Sequence, residues 1–181
     1  MTKSYDASRL VGNIERIDKE LLVDFGEMPE EINELLQTGV MAYRTDKTRG
    51  ETLFRQALAQ APDVLPVYLC LYKIHTYGGR LDDALEVAKS ALSEAAKQAG
   101  LSSLFQDWTP AAISFDGPGR FALYTLKALS FIHLRRDERD EASALLDLLS
   151  KLDPTGLVGW PVIAALLDGC YQPTSVALRQ G

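Results

Sequence analysis

Apolar residues along this chain recur at spacings of three and four, the pattern of helices that bury one face, and no stretch alternates as a half-buried strand would. The predicted fold is therefore all-α. The clearest stretch is 65–92, LPVYLCLYKIHTYGGRLDDALEVAKSAL, which reads as two amphipathic helices around a tight turn. Gly78 and Gly79 offer positions that tolerate positive φ. Asp82 and Asp83, just inside the second helix, offer carboxylates to unpaired amides and to the positive end of the helix dipole. One hairpin cannot bury its own apolar faces, so the pattern must recur, and it does. Over 30–61 the sequence predicts a helix to about Tyr43, a polar turn at 45–47 and a second helix that stops at Ala61 and Pro62. Over 121–154 it predicts a third hairpin, closed by Pro154.

Upstream, Leu10, Ile14, Ile17 and Leu21 form a single apolar seam over 8–25, with Arg9, Glu15, Arg16, Asp18 and Lys19 between them. The segment is too short for an independent coiled coil, so its seam needs a surface, on its own chain or on a second copy. Gly26 and Pro29 end it and open the next helix. The expected organisation is an N-terminal amphipathic helix in 1–29, a helical-hairpin domain over 30–168, and a polar tail over 169–181.

One segment of the domain, 99–122, belongs to no hairpin. It carries Leu101, Leu104, Phe105, Trp108, Ile113 and Phe115, then the turn sequence Gly117-Pro118-Gly119. A solvent loop rarely holds so many large apolar groups. The spacing puts Leu104, Phe105 and Trp108 on one side of a short helix that Pro110 ends. Two roles are open: a brace along the second and third hairpins, or a mobile element that docks a partner or covers a groove.

Composition narrows the function classes. With 46% hydrophobic and 24% charged residues the chain is ordinary for a globular domain, and its net charge of −6 argues against general nucleic-acid binding. The longest apolar run, 157–167, is far shorter than the roughly 20 residues that span a bilayer, and the first ten residues lack the apolar core of a signal peptide. No membrane association is expected, and the expected compartment is the cytoplasm. Cys70 and Cys170 show no metal or redox spacing and read as two buried thiols.

The hairpin pattern resembles the tetratricopeptide repeat, a helix-turn-helix unit of about 34 residues. In the middle unit Tyr68 stands at the tryptophan position, Leu71 at the leucine, His75 at the tyrosine, and Ala84 and Ala91 at the small packing positions. In the third unit Leu126, Leu129, His133, Ala142, Leu146 and Pro154 take the corresponding places. The first unit fits through Gly39, Gly50, Phe54, Ala57 and Pro62, with Gly50 where alanine is usual. After Pro154 one helix restarts the pattern with Trp160, Ile163, Ala164 and Leu167, as a capping helix would. The resemblance implies a right-handed superhelix whose first helices line a concave groove. By that register the partner-binding candidates are Tyr43, Arg44, Lys73, Tyr77, Tyr124, Lys127, Phe131 and Arg135, with Asn33, Leu36, Val40, Leu69, Thr76 and Leu134 among them. Cations interleaved with aromatics suit a protein or peptide partner with acidic and apolar residues. Phe105 and Trp108 are the contact candidates of the insertion. The lysine and asparagine clamp of the chaperone-binding members is missing, since Leu36, Val40, Cys70, Tyr124 and Ala128 stand at its positions.

Chemistry finds little support. His75 and His133 occupy the same repeat position, where a tyrosine is usual, and read as core residues. The acidic run 137–141 opens a helix and lacks metal-ligand spacing, and the DGPGR sequence at 116–120 has no Gly-Lys-Ser/Thr continuation. No nucleophile, base and orienter form a set, so the reading is a non-enzymatic interaction scaffold, adaptor or small chaperone with no cofactor and no metal. Its alternatives are a homodimer made through the N-terminal helix or insertion, and a chaperone of the bacterial secretion type.

Overall fold

The computed structural model describes residues 28–169; the helix expected over 8–25, and Cys170 with nearly all of the tail, lie outside the described residues. Seven α-helices follow one another there: α1 (Glu30–Tyr43), α2 (Lys47–Gln60), α3 (Leu65–Tyr77), α4 (Leu81–Gln98), α5 (Gly117–Arg135), α6 (Arg139–Leu152) and α7 (Trp160–Leu167). Two 3-10 turns, Phe105–Asp107 and Pro110–Ala112, lie between α4 and α5, and no strand occurs among the described residues. Each helix packs on its neighbours in sequence, so the all-α hairpin arrangement that the periodicity predicts is the one observed.

The helix α3 is where two cores meet. Every residue of it from Leu65 to Thr76 is buried, as a helix apolar all round requires. Its Val67, Cys70, Leu71 and Ile74 join Leu36, Val40, Phe54 and Ala57 in the core of the first hairpin. Its Leu65, Tyr68, Leu69 and Tyr72 join Ala84, Ala88, Leu92, Phe121, Leu126 and Leu146 in the second. Each such leucine contributes about 1.5–3 kcal/mol by leaving water.

The second and third hairpins close with one and the same turn. His75 O accepts from Arg80 N and His133 O from Glu138 N, both at 3.0 Å, and the left-handed residue between is Gly79 (φ 77°) in one and Asp137 (φ 63°) in the other. Of the glycine pair read from sequence, only Gly79 needs the left-handed region; Gly78 sits at φ −77°. The first hairpin turns differently, with Asp46 accepting from Arg49 N at 3.0 Å as the N-cap of α2.

Apart from Asp46, several acidic residues near the helix starts pair with side chains instead of capping amides. Neither Asp82 nor Asp83 bonds an amide at the start of α4: Asp82 pairs with Arg136. Glu51, in the second turn of α2, pairs with Arg80 at 2.5 Å. In the 137–141 run, Glu138 holds Arg136 Nε at 2.9 Å and His133 Nδ1 at 2.7 Å and leaves the α6 amides alone. Water screens these surface pairs, so they set geometry more than stability.

Helix junctions use an aromatic that reaches back to the preceding carbonyls. Tyr68 donates its hydroxyl to Pro62 O at 2.7 Å, and Trp160 donates Nε1 to Asp153 O at 2.8 Å. Asp153 itself is fully buried. Its carboxylate accepts from the amides of Leu157 and Val158, both at 3.0 Å, and from Thr155 Oγ1, which fixes the turn into α7. Trp160 is only partly buried, and no residue of α7 is fully buried.

The insertion is shorter than its sequence suggests. Gly117-Pro118-Gly119 is not a free turn but the first turn of α5, where proline is preorganised, and Phe121 and Ala122 are already core. The irregular segment is 99–116. Within it Leu104, Phe105 and Trp108 do not share a face: Leu104 is 60% exposed while Trp108 is 6% exposed, with Nε1 donating to Ser102 O at 2.7 Å. Phe105 meets the Trp108 ring edge-on at 6.4 Å. Pro110 opens the second 3-10 turn instead of ending a helix, Ile113 is buried, and Phe115 remains 40% exposed.

Candidate partner-binding groove

A groove of about 430 Å³ runs between α3, α5 and α7. Six of the residues predicted from sequence line it together: Lys73, Thr76 and Tyr77 from α3, and Tyr124, Lys127 and Phe131 from α5. They meet because α3 and α5 are the first helices of successive hairpins and pack on one another, so residues at matching repeat positions share one side. Its floor is dry: Tyr72 is 2%, Thr76 5% and Lys73 9% exposed.

Positive charge and aromatic faces are interleaved along the groove. Lys127 Nζ lies 4.5 Å from the centroid of the Tyr124 ring, and the Arg120 guanidinium 5.7 Å from the same ring. Arg135, at the end of α5, covers Phe131 at 5.9 Å and donates to Thr76 O at 3.3 Å, so it borders the groove without forming its wall. No carboxylate lines the groove among the described residues.

Other expected groove residues lie elsewhere. Tyr43 is 8% exposed within the first core, beside Gly50, where burial raises its phenol above the ordinary pKa. Leu36, Val40 and Leu69 are likewise core. Arg44 is exposed at the end of α1, away from the groove lining. The wall that sequence reasoning missed is α7: Gly159, Val162, Ile163 and Leu166 close the far side, and Val162 is 57% exposed. The signal was present in WPVIAALL, eight apolar residues that a purely structural cap would have buried.

The insertion lies away from this groove. Phe105 and Trp108 instead line a cavity of about 250 Å³ with Leu92 and Ala96 of α4, Leu129 and His133 of α5, and Leu145 of α6. The two histidines, equivalent in the repeat, differ in surroundings. His133 bonds Glu138, whereas His75 is fully buried and neither ring nitrogen has a hydrogen-bond partner among the described residues. Among the described residues no cluster could hold a metal, and no helix is long and apolar enough to cross a membrane.

Burial holds the His75 pKa below its ordinary value, helped by Arg80 and Arg55 and opposed by Glu51 and Asp83. The unfolded chain therefore takes up a proton that the folded chain refuses once the pH drops below about 6.5. Stability carried by neutral His75 is complete above that pH and is lost as pH falls toward the lower folded value. Urea midpoints should decline between pH 7.5 and 5.5 and decline less in His75→Leu. For Glu51, burial pushes the pKa up, but hydrogen bonds from Arg80 and Arg55 outweigh it and leave the carboxyl below its ordinary 4.5. Its share of acid lability therefore appears only at lower pH.

No protein-family model matches the chain, and no curated protein or solved structure matches it.

Proposed function

We propose that the chain is an interaction scaffold built on tetratricopeptide-like hairpins, and that it binds a protein or peptide segment rich in acidic and apolar side chains in the α3–α5–α7 groove. The observation that carries this reading is the groove's chemistry: Lys73 and Lys127 line it together with Tyr77, Tyr124, Phe131, Val162 and Leu166. An apolar ligand stripe would bury against the aromatics and α7, and flanking carboxylates would meet the ammonium groups. The shared turn of the second and third hairpins, and the repeated bond from an aromatic to the preceding carbonyls, support a repeat origin.

The burial of Lys73 dictates the test. Reversing its charge would place a carboxylate at a dry site, so Lys73→Met, which keeps the apolar stem, paired with Lys127→Glu is the informative variant. Against fluorescent helical peptides with acidic flanks, affinity should fall at least about tenfold, roughly 1.4 kcal/mol, while Tm changes little. Basic-flanked peptides should bind the unaltered chain poorly. Equal binding of both peptide classes would remove this assignment. Self-association through the insertion is the second reading, supported by the exposed Leu104 and Phe115.

A further inference from the structure

We infer that the cavity beneath the insertion is a binding site for a free, single-ring aromatic molecule carrying one hydroxyl. The cavity lies between the insertion and α4, α5 and α6, and none of its lining residues lines the α3–α5–α7 groove. The two sites are therefore independent.

Size limits the occupant. The cavity measures about 250 Å³. Close-packed interiors hold few voids larger than a water molecule, and an apolar cavity of about 150 Å³ already takes up benzene. Sites for drug-sized ligands run from roughly 300 Å³ upward. One substituted ring is the fitting guest. The room originates in α4, which turns Lys89, Leu92, Ser93 and Ala96 to the cavity at the spacing of one helix face. Ser93 and Ala96 are small where a leucine would fill the space.

The walls favour an aromatic ring. Leu92, Leu129, Leu145 and Trp108 are buried, and Phe105 meets Trp108 edge-on at 6.4 Å. A third ring set against this pair continues the edge-to-face arrangement that aromatic groups prefer. The polar groups gather at the mouth, where Lys89, Ser93 and Ser103 are exposed and His133 is partly exposed.

His133 and Lys89 select the substituent. His133 Nδ1 lies 2.7 Å from Glu138 Oε2. A carboxylate only accepts, so Nδ1 donates, and in the neutral imidazole Nε2 is then an acceptor that Glu138 leaves open. A hydroxyl satisfies both groups at once, donating to His133 Nε2 and accepting from the Lys89 ammonium. A plain hydrocarbon ring uses neither. A carboxylate would set one acceptor against another at Nε2.

Titration of the ¹⁵N-labelled full chain with p-cresol tests this. The chain's two tryptophans give two indole N–H signals. That of Trp108 should shift on saturation, through ring contact alone because its N–H is held by Ser102 O, while that of Trp160 on α7 stays in place. Toluene and phenylacetate should each bind at least about tenfold more weakly than p-cresol. N-acetyltyrosinamide puts the same ring on a peptide backbone too large for the cavity. It should also bind at least about tenfold more weakly, which separates a free ligand from a tyrosine of a partner protein. His133→Leu should lower p-cresol affinity to that of toluene and leave toluene unaffected. Ser93→Phe, at an exposed position on the mouth, should abolish binding of both with little change in Tm, which protects the test if His133→Leu folds poorly. Equal affinities for p-cresol and toluene, tightest binding of phenylacetate or N-acetyltyrosinamide, or p-cresol binding that survives Ser93→Phe overturns the inference. So does a shift of the Trp160 signal in place of Trp108, or no saturable shift at millimolar p-cresol.

Discussion

Trp108→Ala is expected to lower stability by about 3 to 5 kcal/mol, read as a fall in urea midpoint, and to leave peptide affinity per folded molecule unchanged. Trp108 is the aromatic of the insertion that is buried: it is 6% exposed, its N–H bonds Ser102 O at 2.7 Å, and it packs with the core shared by α4, α5 and α6, with Phe105 partly buried beside it. Truncation would forfeit the ring's burial, leave the Ser102 carbonyl without its donor, and enlarge a cavity that already measures about 250 Å³. No insertion residue lines the α3–α5–α7 groove, so the expected role of the segment is a brace beside α4, α5 and α6. Replacing 101–115 by a Gly-Ser linker should for the same reason give an early-melting or aggregating chain. A Trp108→Ala protein with wild-type stability and altered peptide affinity would return the insertion to the role of a lid.

How much of this was legible in the sequence depends on whether local or distant contacts decided it. Helix positions were legible because the apolar period fixes the buried face, and Pro62, Pro154 and Gly79 mark real stops and turns. The α3 and α5 members of the groove were legible for the same reason: matching positions in successive hairpins share a side. The α7 wall was not, because a register taken from repeats assigns a cap the task of covering apolar surface and says nothing of a cap that is itself left open. The length of the insertion was misread because Gly117-Pro118-Gly119 has turn composition, yet proline in a first helical turn costs no hydrogen bond and the glycines allow close approach. Gly119 is needed for contact: a Cβ there would run into Ser114 O. Whether Asp82 would cap its own helix or reach Arg136, 54 residues away, is a contest that periodicity cannot decide.

Gly50→Val should cost about 3 kcal/mol or more, and Gly50→Ala about 1 to 3 kcal/mol, although helix propensity alone favours alanine over glycine by up to about 1 kcal/mol. The reason lies in how closely α1 and α2 approach. A Cβ on Gly50 would sit 2.6 Å from Tyr43 Cβ, 2.7 Å from its Cα and 2.8 Å from its backbone nitrogen. Backbone atoms cannot rotate aside, so α2 must move as a body, against Phe54 and Ala57, which are almost wholly buried. At Gly39 the obstacle is the ring of Phe54, at 2.6 Å, a side chain with somewhat more freedom. Gly39→Ala should therefore be the milder change of the two. The same contact explains why Tyr43 left the groove: the glycine opposite draws its backbone inward, and the ring follows into the first core. Peptide affinity of the folded Gly50→Ala protein should accordingly match the parent, while its thermal midpoint drops. If affinity fell in step with stability, Tyr43 would belong to the binding surface after all, and the groove would extend beyond α3 onto α1.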